Sequence, residues 1–192
     1  MTLPNVGVIG RSQSGKDTVA AYLVRHHGYV RVALADPLRD LALALDPLVA
    51  DGVRLGDVVA SLGWERAKSE RPEVRRTLQR LGTDVIRRGF GPDVWARKCL
   101  AAIERHNAVG RPVVVPDVRF PNERALLAEL SGAVMWRVVR STAPAVLAHE
   151  SEDYADALPV DAELPNERSL ADLYSRVERA VAELKGAPAH HA

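Results

Sequence analysis

Cysteine occurs once in the 192 residues, as Cys99. One thiol excludes an internal disulfide framework and cannot alone build a thiolate-rich zinc site, so a reducing, intracellular compartment is the simplest expectation. An excess of charge is also missing: 26 Lys and Arg stand against 25 Asp and Glu, a formal net charge of +1. A protein that binds nucleic acid mainly by neutralising phosphates carries a stronger positive bias, so no nucleic-acid partner is expected. No apolar run approaches the roughly 20 residues that span a bilayer, and residues 1–10 lack the charged start and long apolar stretch of a signal peptide. A cytoplasmic protein without a membrane partner is therefore expected. Internal repeats and long linkers are absent as well. With 47% hydrophobic and 27% charged residues, what remains is an ordinary globular chain long enough to bury a core.

Strand-like and helix-like patterns alternate, which predicts an α/β fold with a mostly parallel sheet. Five short segments are candidate strands: Val6 to Ile9 and Val113 to Val115, both apolar, Tyr29 to Ala35, rich in β-branched residues, and Val134 to Val139 and Val160 to Leu164. Helices are predicted between them. One covers Thr18 to Arg25, and another is capped by Asp36 with Pro37 in its first turn, where the missing amide hydrogen costs nothing. Between Pro72 and Arg88, the residues Val74, Leu78, Leu81 and Val85 fall on one helical face. The last helix opens with a Ser169–Asp172 capping box, buries Leu170, Leu173, Tyr174, Val177, Val181 and Leu184, and ends at Gly186. We expect a single domain over residues 1–186, carrying insertions at about 46–93 and 141–159, and a disordered tail over 187–192.

The segment Gly10-Arg11-Ser12-Gln13-Ser14-Gly15-Lys16-Asp17-Thr18 follows the first strand and opens the first helix. This is the setting a Walker A phosphate loop requires. Glycines let the backbone curl around an anion, amide hydrogens point inward, and the helix N-terminus adds partial positive charge. Lys16 then reaches the terminal phosphates. Asp17 stands where Ser or Thr usually meets magnesium, with Thr18 one place later, so either side chain is a candidate for the ion, directly or through water. A glycine-rich turn with an incidental lysine is the competing reading; the agreement of strand, glycines, lysine and helix opposes it.

Pro116-Asp117-Val118-Arg119-Phe120-Pro121-Asn122-Glu123 follows the third strand. Open parallel sheets bind ligands beyond the carboxyl ends of their strands, which places Asp117 and Arg119 on the same edge as the phosphate loop. An acid there can orient an attacking group and an arginine can grip a phosphate in a fork. A structural Asp117–Arg119 pair is the alternative, and capping of the next helix is expected for Asn122 and Glu123.

Taken with Ala35-Asp36-Pro37-Leu38-Arg39, Leu78-Gln79-Arg80-Leu81-Gly82-Thr83, Asp93-Val94-Trp95 and His149-Glu150-Ser151-Glu152, these motifs resemble, in order from residue 6 to about 182, the bacteriophage-type deoxynucleoside monophosphate kinases. The resemblance implies a three-layer P-loop NTPase fold with a five-stranded parallel sheet, an acceptor-binding helical insertion and a short lid. It also implies transfer of the γ-phosphoryl group of ATP, with Mg2+, to a deoxynucleoside monophosphate. By the same resemblance Arg11, Gln13, Ser14, Gly15, Lys16, Asp17 and Thr18 bind ATP and magnesium, and Asn166 contacts the adenine. Arg140 joins this donor set. Asp36, Arg39, Gln79, Thr83, Arg88, Asp93 and Trp95 receive the acceptor with Asp117 and Arg119, and Lys16, Asp117 and Arg119 are the catalytic set. A homodimer is compatible with these relatives. Two other functions share the loop: a P-loop kinase for another small phosphorylated acceptor, phosphomevalonate-like, and a P-loop NTP hydrolase or switch. Against the switch, the chain has no Asn-Lys-x-Asp guanine signature.

Overall fold

The structure, a computed structural model, describes residues 3–49, 52–141, 154 and 156–186. The predicted tail, the His149–Glu152 motif, Asp51 and most of the 141–159 insertion lie outside the described residues. The chain divides into two compact units, one formed by the chain up to Ala33 and from Cys99 onward, the other by Leu34–Lys98.

In the first unit, β1 (Val6–Ile9) is buried at all four positions. It pairs in parallel with β5 (Val113–Val115) on one side and β6 (Val134–Val139) on the other, through Val6↔Val114 and Val6↔Val134. A central parallel strand is covered on both faces, which is why it reads as an unbroken apolar run. With β2 (Val30–Arg31) and β7 (Ala162–Pro165) the described residues form a five-stranded sheet, order β2-β5-β1-β6-β7, every pair parallel. Helix α1 (Lys16–His27) and the C-terminal helix, here α8 (Leu170–Gly186), pack Val19, Leu23, Val177 and Val181 with Trp136, Val114 and Val138 in one buried cluster. The capping box forms as expected: the Ser169 hydroxyl and amide donate to Asp172 at 2.6 and 3.1 Å, and the Asp172 amide donates back to Ser169 Oγ.

Three expectations for this unit need correction. The second strand is two residues long, since the chain turns toward the next helix where the apolar run continues. Leu170 is 53% exposed because it occupies the first turn of α8, ahead of the face that meets the sheet. Helix α7 (Pro121–Ser131) is capped at Phe120, not Asn122; the buried Glu123 carboxylate reaches back to accept from the amides of Arg119 and Phe120 at 3.0 and 3.1 Å.

The second unit contains α2 (Asp36–Leu45), a two-stranded antiparallel hairpin of β3 (Leu48–Val49) and β4 (Val53–Arg54), α3 (Leu55–Glu70), α4 (Pro72–Gln79) and the short α5 (Arg88–Phe90). Helix α6 (Val94–Asn107) begins in this unit. Ala42, Leu55, Val58, Ala67 and Val74 make its core. Ala35, not Asp36, holds the cap position of α2, with Asp36 as an acid in the first turn, where it suits the helix dipole. The predicted 72–88 helix is interrupted: Arg80–Arg87 is π-helical. A π turn takes more residues than an α turn, so it moves later side chains off the original stripe. Val74 is fully buried whereas Val85 is 51% exposed.

Candidate active site

Because all five strands run the same way, the segments after β1, β5, β6 and β7 leave one edge of the first unit's sheet. The loop after β1 carries the phosphate motif. Gly15 adopts φ +108° at the start of α1, and a Cβ there would lie 2.6 Å from Asn166 Nδ2. A glycine is therefore required both by the backbone and by the approach of Asn166, whose amide donates to the Ser14 carbonyl at 2.8 Å. The Asn166 backbone amide in turn donates to Val139 at 2.6 Å, so the segment after β7 is tied to both β6 and the loop.

Two groups in the loop are set for an anion. The Lys16 side chain is largely buried, its ammonium donating to the Arg11 carbonyl at 2.6 Å inside the curl of the loop. The Ser14 hydroxyl is buried and has no hydrogen-bond partner, the one such side-chain atom among the described residues. Burying a hydroxyl without a partner costs about 1–3 kcal/mol, a cost that a ligand oxygen accepting from it would remove.

A cavity of about 410 Å³ adjoins the loop, lined by Gln13, Gly15, Lys16, Asp17, Thr18, Arg140, Asn166, Arg168, Leu170 and Leu173. It brings together most of the donor-side residues expected from the sequence, which were spread over more than 150 positions. Arg11 is directed elsewhere, forming an ion pair with Asp156 at 2.5 Å. Arg168, Leu170 and Leu173 were not anticipated. Arg168 follows Asn166 by two positions just before a capped helix, and that placement was the available signal. Beside the cavity residue Arg168 in the chain, Glu167 accepts from the Ser141 hydroxyl and amide at 2.6 and 2.7 Å. Those bonds, with the nearby Arg140 charge, hold its carboxyl below the usual range.

Asp117 and Arg119 lie between β5 and α7, Asp117 half-buried and Arg119 exposed, on either side of the buried Val118. Neither lines the cavity. The remaining acceptor-side candidates belong to the second unit. Asp36 and Arg39 share the first turn of α2 and contact each other at 3.4 Å. Gln79 is exposed at the end of α4, Thr83 is half-buried in the π-helical segment, and Asp93 is half-buried before α6. Arg88 is exposed and pairs with Asp84 at 2.9 Å. Trp95 is 7% exposed, its indole N–H donating to the Gly82 carbonyl at 3.1 Å.

Asp17 and Thr18 supply oxygen atoms beside Lys16 in the cavity wall, the donor type that magnesium prefers. Among the described residues, no group of three or more His, Cys, Asp or Glu is placed to hold a metal by itself. No helix among the described residues is long and apolar enough to cross a membrane.

A family model described as deoxynucleotide monophosphate kinase matches residues 58–177. The match begins beyond the phosphate loop, so the loop and the family match are separate observations. A protein of Acanthamoeba polyphaga mimivirus, named "Putative deoxynucleotide monophosphate kinase", is 26% identical over 194 residues, covering 90% of this chain and 93% of its own. Among solved structures, dephospho-CoA kinase from Campylobacter jejuni superposes with a TM-score of 0.51 at 13% identity, over 96% of this chain and 98% of its own. That likeness concerns the fold alone. The Mycobacterium tuberculosis APS kinase aligns over 97% of this chain and 100% of its own, with a TM-score of 0.45 and 18% identity.

Proposed function

The chain belongs to the deoxynucleotide monophosphate kinase family, and from that premise we propose that it transfers the γ-phosphoryl group of ATP to a deoxynucleoside monophosphate, giving the diphosphate and ADP. The observation that carries the donor half is the curled loop around Lys16, with the unpartnered Ser14 hydroxyl, opening on a cavity walled by two arginines.

The loop amides, Ser14 and Lys16 take the ATP phosphates, while Asn166, Arg140 and Arg168 border the space for the nucleoside. Asp17 and Thr18 would hold magnesium, which when bound offsets phosphate charge. The acceptor's phosphate oxygen, already deprotonated, attacks the γ-phosphorus in line, and the bond to the β–γ bridging oxygen breaks to release ADP. No covalent enzyme intermediate is needed, because the transition state mainly requires alignment and neutralisation. Lys16 supplies fixed positive charge to the migrating group. Arg119 and Arg88 grip the acceptor phosphate, and Asp117 orients it; Asp36, Arg39, Gln79, Thr83, Asp93 and Trp95 shape the acceptor's place.

The test is ADP release measured with each common deoxynucleoside and ribonucleoside monophosphate, with a phosphorylated non-nucleotide acceptor, and with none. Turnover that depends on a deoxynucleoside monophosphate supports the reading. Equal turnover without any acceptor sinks it.

A further inference from the structure

By resemblance Asn166 contacts the adenine, but the structure commits its side-chain amide elsewhere. Nδ2 donates to the Ser14 carbonyl at 2.8 Å, across 152 positions of chain, while the Asn166 backbone is pinned to β6 by its bond to Val139. These contacts fix a group that the sequence does not flag, the peptide plane joining Ser14 to Gly15. No cis peptide bond occurs among the described residues, and in a trans peptide the C=O and N–H point in opposite directions. With the Ser14 carbonyl drawn toward Asn166, the Gly15 N–H points away from it. Among the described residues that N–H donates to no group.

The plane has a second setting. Turning it over changes ψ of Ser14 and φ of Gly15 by about 180° each, as between type I and type II turns. That takes Gly15 from φ +108° to about −72°, an ordinary helical value that any residue adopts. The carbonyl oxygen then faces where the amide hydrogen now stands. One setting presents a donor to an anion, the other a partial negative charge. The same loop carries the Lys16 ammonium within its curl and the buried, unpartnered Ser14 hydroxyl. An inverted plane would set an oxygen against the phosphates those groups take.

We propose that Asn166 is a positioning residue for the phosphate loop: its amide selects the setting of the Ser14–Gly15 plane that turns the Gly15 N–H toward the donor's phosphates. The proposal rests on the donor half of the kinase reading above and deepens it, assigning the Asn166 amide to the triphosphate rather than to the base. Without that bond the inverted setting becomes populated, and binding weakens in proportion to the fraction of loops withdrawn from the receptive state.

Calorimetric titration of the full-length protein with ATP and with inorganic tripolyphosphate, each with magnesium, tests it, because tripolyphosphate has no base. Asn166→Ala should weaken both by the same factor, about 3- to 10-fold, the span of one hydrogen bond. Asn166→Asp keeps the native side-chain shape, yet it should bind both more weakly than Asn166→Ala, since its carboxylate repels the Ser14 carbonyl and accepts from the inverted Gly15 N–H. A side chain needed only for packing gives the opposite order. A measurement on the wild type survives even if a variant fails to fold: the Gly15 amide proton resonance should move downfield with tripolyphosphate and stay in place with adenosine. Unchanged tripolyphosphate binding in a folded Asn166→Ala, a loss confined to ATP, tighter binding by Asn166→Asp than by Asn166→Ala, or a Gly15 amide indifferent to tripolyphosphate overturns the proposal. These readouts need no turnover, so absence of monophosphate-dependent turnover in the wild type would instead count against the kinase reading itself.

Discussion

Replacing Gly10 with alanine probes the phosphate loop at the point where the structure leaves least room. Gly10 has φ +149°, and a Cβ built on it lies 2.5 Å from the backbone carbonyl oxygen of Val138 and 2.8 Å from Ser14 Oγ. Val138 belongs to β6, which is locked to β1 through Val8↔Trp136 and Ile9↔Arg137, so its carbonyl cannot retreat without disturbing the central register. The backbone strain costs about 1–3 kcal/mol, and the overpacking adds a similar amount. A total of roughly 3 kcal/mol corresponds to a fall in Tm of about 6–12 °C for a chain of this size. Displacing Ser14 also moves the unpartnered hydroxyl that the proposed function assigns to the ATP phosphates, so the KM for ATP should rise about tenfold or more. Gly28→Ala is the control: its φ is +71°, but nothing lies within 4 Å of a Cβ there. It carries only the left-handed penalty of about 1–2 kcal/mol and should leave the KM for ATP unchanged. Differential scanning calorimetry and initial-rate kinetics decide the matter. A Gly10→Ala protein that melts within about 1 °C of wild type, or a Gly28→Ala protein equally impaired toward ATP, would refute the reasoning.

Lys16→Ala should reduce kcat by about 100-fold or more, as expected when a preorganised positive group is removed. Its Tm should move by no more than about 4 °C, since the substitution takes from the folded state the hydrogen bond that the ammonium donates to the Arg11 carbonyl; circular dichroism melts check the second half. Ser169→Ala removes the hydroxyl that caps α8 and should lower Tm by about 2–4 °C. Asp172 is held below its ordinary pKa of 3.8, first by the Ser169 hydroxyl, then by the Ser169 amide. A depressed carboxylate contributes stability that is complete above pH 3.8 and is lost as pH falls through the lower, folded-state value. Asp172→Asn should therefore flatten that part of the Tm profile below about pH 4 and leave the slope near neutral pH unchanged.

The parts of the fold legible in the sequence are those dictated by local physics. An anion-binding loop needs glycines at fixed places between a strand and a helix, so β1, the loop and the start of α1 can be read from Val6 to Thr18 alone. Val113 to Val115 reads as a strand because full burial on both faces leaves no polar interruption, and Val134 to Val139 because one arginine, Arg137, is its one polar residue. The capping box of α8 is equally local. What escaped was decided by partners far away in the chain. The π-helical segment at Arg80–Arg87 accompanies a bond from Trp95, 13 residues on, to the Gly82 carbonyl, and helical periodicity carries no trace of it. The start of α7 is a local case: of the two residues expected to cap it, Glu123 does and Asn122 does not, because Pro121 sets the first helical position and moves the cap back to Phe120. On the donor side, Arg140 and Asn166 could be named by resemblance, whereas Arg168 joins them only through the packing of the segment after β7. Arg11 belongs to the loop by sequence, yet its guanidinium is taken by Asp156, 145 positions away. The pairing of Trp64 with Arg39 is set by the break of α3 at Gly63, which helical periodicity does not show.

Tracing the γ-phosphoryl group tests the central claim most directly. With ATP labelled at that position, the label should appear in a deoxynucleoside diphosphate in amounts equal to the ADP formed, and Lys16→Ala should slow the transfer about 100-fold or more. Label recovered as inorganic phosphate whatever acceptor is supplied, or in the product of a base-free phosphorylated acceptor but in no nucleotide, would contradict it.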